Sequence, residues 1–342
     1  MRGMELVCSW YRPQESQRLP CVVYLHGNRG SRYDALEALF LLGHGFSLFS
    51  FDASGSGLSD GEYISLGFYE RQDLAAVVEY LSAQKDVDGI ALWGRSMGAV
   101  TSIMYAAKDD SIKCIVCDSP FSTLRLVIRD LVKRYAWRRI PSKFVDGIVD
   151  RLRERIARRA AFDIDDLDTL KYASECVVPA FIFHGREDDF VVPAHSISVS
   201  DCFKGLCLHE LVKGGHNDER DETVRDTIVS FLKLFLVLKS KREQPTAEEI
   251  AALKRDEAGL QNSEGQSVAE REKLHLPSEN TPPENKTQNI CAGAECEGMG
   301  HRGPRSVFLD PISFKRPHLI NVTSTHTSDE PKESPHTSLN TR

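Results

Sequence analysis

The residues best suited to chemistry form a Gly-x-Ser-x-Gly pattern, Gly94-Arg95-Ser96-Met97-Gly98. The apolar residues 89–93 before it predict a buried strand, and the small residues of 99–107 after it predict a helix. A sharp turn between the two would expose the Ser96 hydroxyl as a nucleophile at a helix N-terminus, which favours developing negative charge. The pattern alone also fits a glycine-rich turn, so the chain must supply a base, an acid and an oxyanion hole.

The candidate base is His216, in the sequence Gly214-Gly215-His216-Asn217. A serine hydroxyl is a weak nucleophile at neutral pH and needs an imidazole within hydrogen-bond reach. A single histidine in a loop is usually a solvated surface residue. His216, however, follows the last predicted strand and precedes the closing helix, a position that favours the role of base.

The imidazole in turn needs a carboxylate to fix its tautomer and stabilise its charged form. Three candidates follow the strand predicted at residues 178–184, and a fourth ends an earlier strand: Glu187, Asp188, Asp189 and Asp118. The order serine, acid, histidine along the chain is a known order for such triads. The residue positions alone leave these four candidates open.

A tetrahedral oxyanion requires two backbone N–H donors. Met97, directly after Ser96, supplies one, and Asn28 in His26-Gly27-Asn28 is expected to supply the other from the loop after a buried strand. We interpret His26 and His184 as structural hydrogen-bonding residues rather than bases.

Alternating strands and helices must position these loops. Strands are predicted at residues 5–11, 21–25, 46–51, 89–93, 113–118, 178–184 and 206–212, and helices at 33–42, 70–81, 99–107 and 220–238. This alternation predicts a mostly parallel sheet with helices on both faces, with the chemistry beyond the carboxyl ends of the strands.

A long helical and basic stretch at residues 120–176 interrupts the alternation, and it predicts a cap insertion over the strand ends. One helical face is apolar and is expected to pack on the domain: Phe144, Val145, Ile148, Val149, Leu152 and Ile156. The basic residues of the cap are Arg138, Arg139, Lys143, Arg151, Arg155, Arg158 and Arg159. They are consistent with an ordinary solvated face, or with attraction of an anionic substrate or an anionic membrane.

The composition divides the chain into a globular domain at residues 1–240 and a low-complexity tail at residues 241–342. The tail has too few large apolar residues to form a core, so it is predicted to be largely disordered and free to bind other proteins. A capping box at Thr246 and Glu249 predicts one short helix there. Removing the tail is therefore expected to leave the melting temperature nearly unchanged.

Overall composition excludes several classes of function. A net charge of −7 and a pI near 5.9 argue against a nucleic-acid-binding protein. The nine cysteines follow no metal-ligand or disulfide pattern, and neither a signal peptide nor an apolar run long enough to span a membrane is recognisable. We expect a cytoplasmic protein that needs no metal or organic cofactor.

Seven motifs together resemble the eukaryotic serine peptidase-like (serine aminopeptidase-like) α/β-hydrolases of clan SC. Their relatives include Bem46-like proteins and depalmitoylases with an α/β-hydrolase domain. The motifs, within about residues 5–238, are Leu25-His26-Gly27-Asn28, Phe51 to Ser59, Leu92 to Ala99, Asp118 to Phe121, Phe162-Asp163-Ile164, Asp188-Asp189-Phe190 and Gly215-His216-Asn217. The resemblance implies an α/β-hydrolase fold with Asp188 as the acid.

Two features depart from this family. Its members carry more chain before the first strand, so the outer edge strand is expected to be missing, and Cys8 alone is not the N-terminal cysteine cluster that anchors the depalmitoylases in membranes. The expected function is hydrolysis of an ester, thioester or amide bond in a small-molecule, acyl or peptidyl substrate, through an acyl-Ser96 intermediate. The alternative is a non-catalytic scaffold that acts through its cap or tail, but a scaffold has no need of Ser96, Asp188 and His216 together.

Overall fold

A computed structural model describes residues 3–13, 18–135, 142–238 and 318–323 of the chain. Eight strands form one sheet: β1 (Glu5–Tyr11), β2 (Leu19–Leu25), β3 (Ser47–Phe51), β4 (Val87–Arg95), β5 (Ile115–Asp118), β6 (Ala180–Gly185), β7 (Cys207–Val212) and β8 (His318–Thr323). The seven strands predicted from the sequence are β1 to β7.

The strand order across the sheet is β7-β6-β5-β4-β2-β3-β1-β8. Strands β2 to β7 pair in parallel, whereas β1 runs antiparallel to both β3 and β8. The predicted mostly parallel sheet is confirmed. Because β4, β6 and β7 are parallel, the loops that follow them, with Ser96, Asp188 and His216, leave the same edge of the sheet.

Seven α-helices accompany these strands in the described part of the chain: α1 (Glu70–Ser82), α2 (Met97–Ala106), α3 (Leu124–Tyr135), α4 (Ser142–Ala160), α5 (Thr169–Ala173), α6 (Ala194–Cys202) and α7 (Glu222–Leu232). The predicted helix at residues 33–42 is a 3₁₀ helix, Arg32–His44, with Ser31 as its N-cap and Gly45 as its left-handed C-cap. A π-helical turn, Lys233–Leu238, continues α7.

The alternation of side chains along the strands buries one apolar layer on each face of the sheet. On one face, Val23 and Leu92 pack with residues of α1 and α2 such as Leu74 and Ile103. On the other face, the layer joins Val22, Ala91 and Val116 to the 3₁₀ helix and to Ile228 and Phe231 of α7. Helices therefore cover both faces, as predicted, and they hold the sheet as a rigid base for the loops at its edge.

The segment between β5 and β6 contains α3, α4 and α5. A third apolar cluster joins Val127 of α3 and Val145 and Val149 of α4 to Val100 and Met104 of α2. Two ion pairs tie the cap helices together, Arg125 with Asp150 and Arg129 with Asp146. The predicted cap residues Arg138 and Arg139 lie outside the described residues, and the Lys143 side chain is not described.

Strand β8 lies within the segment that the sequence predicted to be largely disordered. Its residues pair with β1 in an antiparallel register from Glu5 opposite Thr323 to Trp10 opposite His318. The expectation that the outer edge of the sheet lacks its strand is therefore wrong, because β8 occupies that position. Three apolar residues in a polar, proline-containing tail are too few to change the local composition, which is why the sequence did not reveal the strand.

Removing residues 318–342 is expected to lower the free energy of unfolding by about 1–6 kcal/mol, since each of the six cross-strand pairs contributes about 0.2–1 kcal/mol. The composition of the tail predicts instead that its removal leaves the melting temperature nearly unchanged. Urea unfolding of the truncated chain measures the loss. Removing residues 324–342 alone, which keeps β8, is the matched control. Equal stability of both truncations would show that β8 contributes nothing to the sheet.

Candidate active site

The turn between β4 and α2 places Ser96 in a strained conformation, with φ 51° and ψ −111°. The two flanking glycines permit the close approach that this turn requires. A Cβ on Gly94 would lie 2.1 Å from the Gly98 carbonyl oxygen, and one on Gly98 would lie 2.1 Å from the Leu25 carbonyl oxygen. Any larger side chain at either position would push α2 away from the sheet. The observed backbone is the strand, sharp turn and helix that the pattern predicted.

His216 lies beside this serine, although the two are far apart in the sequence. Its Nε2 is 3.2 Å from the Ser96 Oγ. The loop after β7 that carries His216 is fixed by Arg95, whose guanidinium donates to the His216 carbonyl oxygen at 2.7 Å and to the Asn217 Oδ1 at 3.0 Å. The residue before the serine thus positions the histidine backbone. The Ser96 residue as a whole is 9% exposed.

Asp188 contacts the other nitrogen of the same imidazole. Its Oδ2 lies 2.6 Å from the His216 Nδ1. The backbone N–H groups of Phe190 and Val191 both donate to the Asp188 Oδ1 at 2.9 Å. These two bonds fix the carboxylate plane, so that only Oδ2 faces the histidine. Asp188, His216 and Ser96 form one continuous hydrogen-bonded row.

The structure places the three other candidate carboxylates in different contacts. Asp118 forms a two-bond ion pair with Arg220, at 2.8 and 3.0 Å. Asp189 is exposed and pairs with Arg134 on α3. Glu187 accepts from the backbone N–H of Gly214 at 2.5 Å. None of these three carboxylates contacts His216 in the described part of the chain.

His184, at the end of β6, is a second imidazole on Asp188. Its Nε2 lies 3.0 Å from the Asp188 Oδ2 and 2.7 Å from the Val191 carbonyl oxygen. Because both neighbours are acceptors, Nε2 carries the proton and donates. His184 is fully buried, and its Nδ1 has no hydrogen-bond partner among the described residues. The ring therefore acts on the carboxylate through the single hydrogen bond that Nε2–H donates.

These contacts set the charge of Asp188. Burial by itself raises the pKa of this carboxyl, but the hydrogen bonds from His184 and His216 outweigh burial and hold the pKa well below its usual range. The carboxylate is therefore ionised at neutral pH. An ionised group at this position stabilises a positive charge on the adjacent imidazole.

The two predicted oxyanion donors follow neighbouring parallel strands, β2 and β4. Met97 is the first residue of α2, and Asn28 is in the turn after β2. Gly27, next to Asn28, approaches the serine closely, since a Cβ on Gly27 would lie 3.9 Å from the Ser96 Cβ. No acceptor for the backbone N–H of Asn28 or Met97 is found within the described residues. Both N–H groups are therefore candidates for binding an oxyanion.

His26 is a structural residue of this turn, in agreement with its interpretation from the sequence. Its Nδ1 donates to the Gly27 carbonyl oxygen at 2.8 Å, and its Nε2 accepts from the backbone N–H of Ala53 at 3.1 Å. The ring joins the loop after β2 to the loop after β3. It thereby fixes the path of the backbone at Gly27 and Asn28.

A cavity of about 310 Å³ lies between cap helix α3 and the loop after β6, and Ser96, Asp188 and His216 are not among the residues that line it. It is lined by Asp130, Leu131, Lys133, Arg134, Asp189, Phe190 and Val192. The Phe190 ring, 41% exposed, lies 5.2 Å from the His216 ring, measured between centroids. Cap helix α3 therefore forms one wall of the space beside the imidazole.

Arg95 and Arg220 were not assigned a positioning role from the sequence, and His184 was interpreted as a structural hydrogen-bonding residue without its partner Asp188. Arg95 holds the histidine loop, His184 holds Asp188, and Arg220 joins Asp118 to the Gly215 carbonyl oxygen at 3.0 Å. The only local signal was that all three lie next to predicted site motifs. Each of these contacts depends on how separate loops meet at the edge of the sheet, which spacing along the chain does not specify.

Comparisons with known proteins find partial matches to hydrolases. Residues 2–137 match the family described as X-Pro dipeptidyl-peptidase (S15 family). The protein YqkD of Bacillus subtilis is 26% identical over 221 residues, which are 62% of this chain and 70% of that protein. The lysophosphatidylserine lipase ABHD12 of Xenopus tropicalis is 27% identical over 201 residues. Those residues are 54% of this chain but only 47% of the lipase, so the match spans about half of that relative.

A solved structure supports the same fold. The Pyrococcus furiosus esterase Pf2001 superposes with a TM-score of 0.53 at 24% identity, covering 67% of this chain and 87% of the esterase. A sheet of the same kind, a serine at the turn after a central strand and relatives that are hydrolases all point to one class. The chain is an α/β-hydrolase of the serine hydrolase class.

Proposed function

We propose that Ser96, His216 and Asp188 form the catalytic triad of this hydrolase. The observation that carries the proposal is the unbroken row of hydrogen bonds, 3.2 Å from the Ser96 Oγ to the His216 Nε2 and 2.6 Å from the His216 Nδ1 to the Asp188 Oδ2. In this arrangement Nδ1–H donates to the carboxylate, which leaves Nε2 free to accept the serine proton.

The reaction follows from these positions. The Ser96 oxygen attacks the substrate carbonyl carbon as its proton passes to His216, and the carbonyl oxygen becomes an oxyanion that the N–H groups of Asn28 and Met97 bind. His216 then returns the proton to the leaving group, and an acyl-Ser96 ester remains. A water molecule, deprotonated by His216, attacks this ester, which releases the acid and regenerates Ser96.

We propose carboxylic esters and thioesters as the first substrate class to test, with amides and peptides as the second. The apolar side chains of Leu131, Phe190 and Val192 line the cavity beside the imidazole and suit an acyl or aryl group. The names of the relatives fit both classes, since a lipase and an esterase act on esters and the matching family is one of peptidases.

Pre-steady-state kinetics with a p-nitrophenyl ester tests the acyl-enzyme. We expect a burst of nitrophenol equal to the enzyme concentration, followed by slower steady-state release, because acylation precedes deacylation. A nitrophenyl ester, a thioester and a nitroanilide of the same acyl group then rank the bond types. Turnover without any acyl-Ser96 detectable by mass spectrometry of acid-quenched samples would contradict the mechanism.

His184→Phe removes the second donor to Asp188 while it keeps a ring in the buried site. We expect kcat/KM to fall about tenfold and the acid limb of the pH–rate profile to move to higher pH, because the carboxylate then holds the charged imidazole more strongly. His184→Gln, which keeps a donor, is the matched variant and should restore most of the profile. A lower rate with an unchanged acid limb in His184→Phe would mean that the ring only fills space.

We also propose a cellular location and binding partners for this protein. No helix in the described part of the chain is both long and apolar enough to cross a bilayer. The free thiols of Cys21, Cys117 and Cys176 are buried, which suits the cytoplasmic location that we propose. The exposed arginines of α4 support the predicted peripheral contact with an anionic membrane, and the tail remains a proposed site for protein partners.

A further inference from the structure

The outer face of α4 differs from the one that the sequence predicted. Of the six apolar residues expected to pack on the domain, Val145 and Val149 are buried and Ile156 is partly buried. The other three are exposed: Phe144 by 57%, Ile148 by 41% and Leu152 by 38%. The contact with α3 and α2 covers only one side of the helix, so Ile148 and Leu152, spaced four apart, form a stripe on its outer surface.

Basic residues share this outer surface. Arg151, Arg155, Arg158 and Arg159 are exposed, and none of them forms an ion pair within the described residues. At 3.6 residues per turn, the two apolar residues of the stripe and the four arginines fall within an arc of about 120° around the helix. The apolar stripe lies toward the start of α4, and the arginines lie toward its end.

The acidic residues of α4 do not neutralise this face. Asp146 and Asp150 are directed toward α3, where they pair with Arg129 and Arg125. Arg153, on the packed side, pairs with Asp163. Glu154 is the one exposed carboxylate of α4 that is left without an ion pair among the described residues. The outer face therefore carries a concentrated positive charge on a chain whose net charge is −7.

We propose that this mixed face, Ile148 and Leu152 with Arg151, Arg155, Arg158 and Arg159, docks on an anionic lipid bilayer. A helix with apolar and basic side chains on its free surface lies in the plane of the membrane interface. The arginines bind lipid phosphates and carboxylates, and the apolar stripe enters between the headgroups. A nucleic acid would match the arginines but offers no apolar surface for the stripe, and a second copy of this acidic chain would not match the positive charge.

Docking in this way would bring the substrate cavity near the bilayer. Helix α3 connects the two surfaces, since Arg125 and Arg129 pair with α4 and Arg134 pairs with Asp189 in the loop of the proposed acid. This deepens the proposed function: it rests on the same cavity and names the membrane as the place where an acyl substrate is met. Membrane binding itself does not require a working triad.

Sedimentation with phosphatidylcholine vesicles, with and without phosphatidylserine, tests the proposal with the full chain. We expect binding to the anionic vesicles alone, fading as salt is added. The triple variant Arg151→Gln, Arg155→Gln and Arg159→Gln should lower the partition coefficient about 100-fold, since each basic residue near such a surface strengthens binding about fivefold. Ile148→Ser with Leu152→Ser should weaken binding to the same vesicles while the charge is unchanged.

The matched control removes three positive charges elsewhere. Lys85, Lys113 and Lys204 are exposed and precede β4, β5 and β7, at the opposite edge of the sheet from the proposed triad. Their replacement by glutamine should leave vesicle binding unchanged, and all variants should keep the melting temperature of the unaltered protein. Ser96→Ala should lose hydrolysis yet bind vesicles normally, which separates failure of this proposal from failure of the triad.

Three results would overturn the proposal. The first is equal binding to neutral and anionic vesicles, and the second is equal loss in the arginine and lysine variants. The third is a dimer that becomes monomeric in Ile148→Ser with Leu152→Ser, because a second copy would then cover the face.

Discussion

Replacing Ser96 with alanine is expected to lower kcat for ester hydrolysis by about a millionfold, the size of loss found when the nucleophile of other serine hydrolases is removed. The variant keeps the turn backbone and the neighbouring N–H groups, so it should retain weak catalysis by oxyanion binding but form no acyl-enzyme. Steady-state turnover of a chromogenic ester, together with the burst amplitude, measures both losses.

A matched control for this change is Ser198→Ala. Ser198 is exposed on α6, and its hydroxyl donates to the Ala194 carbonyl oxygen at 2.9 Å, outside the proposed triad. This variant should keep its turnover. Undiminished hydrolysis by Ser96→Ala would remove the basis of the proposed mechanism.

Asp188→Asn is expected to lower kcat by about 10⁴-fold while the fold is kept. The backbone N–H groups of Phe190 and Val191 require an acceptor, so the new carbonyl oxygen takes the Oδ1 position. The amide nitrogen then occupies the Oδ2 position and donates to the His216 Nδ1. That contact places the imidazole proton on Nε2, where it blocks acceptance of the serine proton. The pH–rate profile and the acylation rate measure this effect.

The competing carboxylates supply the controls for the acid. Asp189→Asn removes an exposed pair with Arg134 and should change turnover by less than about threefold, as expected for an exposed pair. Asp118→Asn weakens the pair with Arg220, which also holds the Gly215 carbonyl oxygen, so its main effect should be on stability. If either variant loses more turnover than Asp188→Asn, the acid has been assigned to the wrong residue.

The strands and the serine turn could be predicted from the sequence because their signals are local. Apolar runs of strand length marked β2, β4 and β6, and the glycines around Ser96 marked a turn that only small residues permit. Those positions fix which edge of the sheet carries the chemistry. His216 followed from the same logic, as a histidine after the last of the predicted strands.

Residue positions could not identify the acid, because Glu187, Asp188 and Asp189 are consecutive residues of one loop. The structure differentiates them through the N–H groups of Phe190 and Val191, which hold one carboxylate toward the imidazole. The resemblance to a known family was needed to name Asp188 beforehand. The contact with His184 depends on the same loop conformation and was not anticipated.

The exposed apolar residues of helix α4 and the presence of strand β8 could not be predicted from the sequence either. The sequence predicts that the whole apolar arc of α4 packs on the domain. The periodicity of a helix, however, does not reveal how much of that arc a neighbour covers. For β8, the partner strand β1 lies at the other end of the sequence, so the pairing leaves no local pattern. Both features concern surfaces that only the assembled fold defines.

Labelling with a fluorophosphonate, followed by peptide mass spectrometry, tests the central claim most directly, because the probe reacts only with an activated serine. The proposed triad predicts one adduct per chain, located on Ser96, absent from Ser96→Ala and formed much more slowly in Asp188→Asn. An adduct on a different serine, or equal labelling of Ser96→Ala, would contradict it.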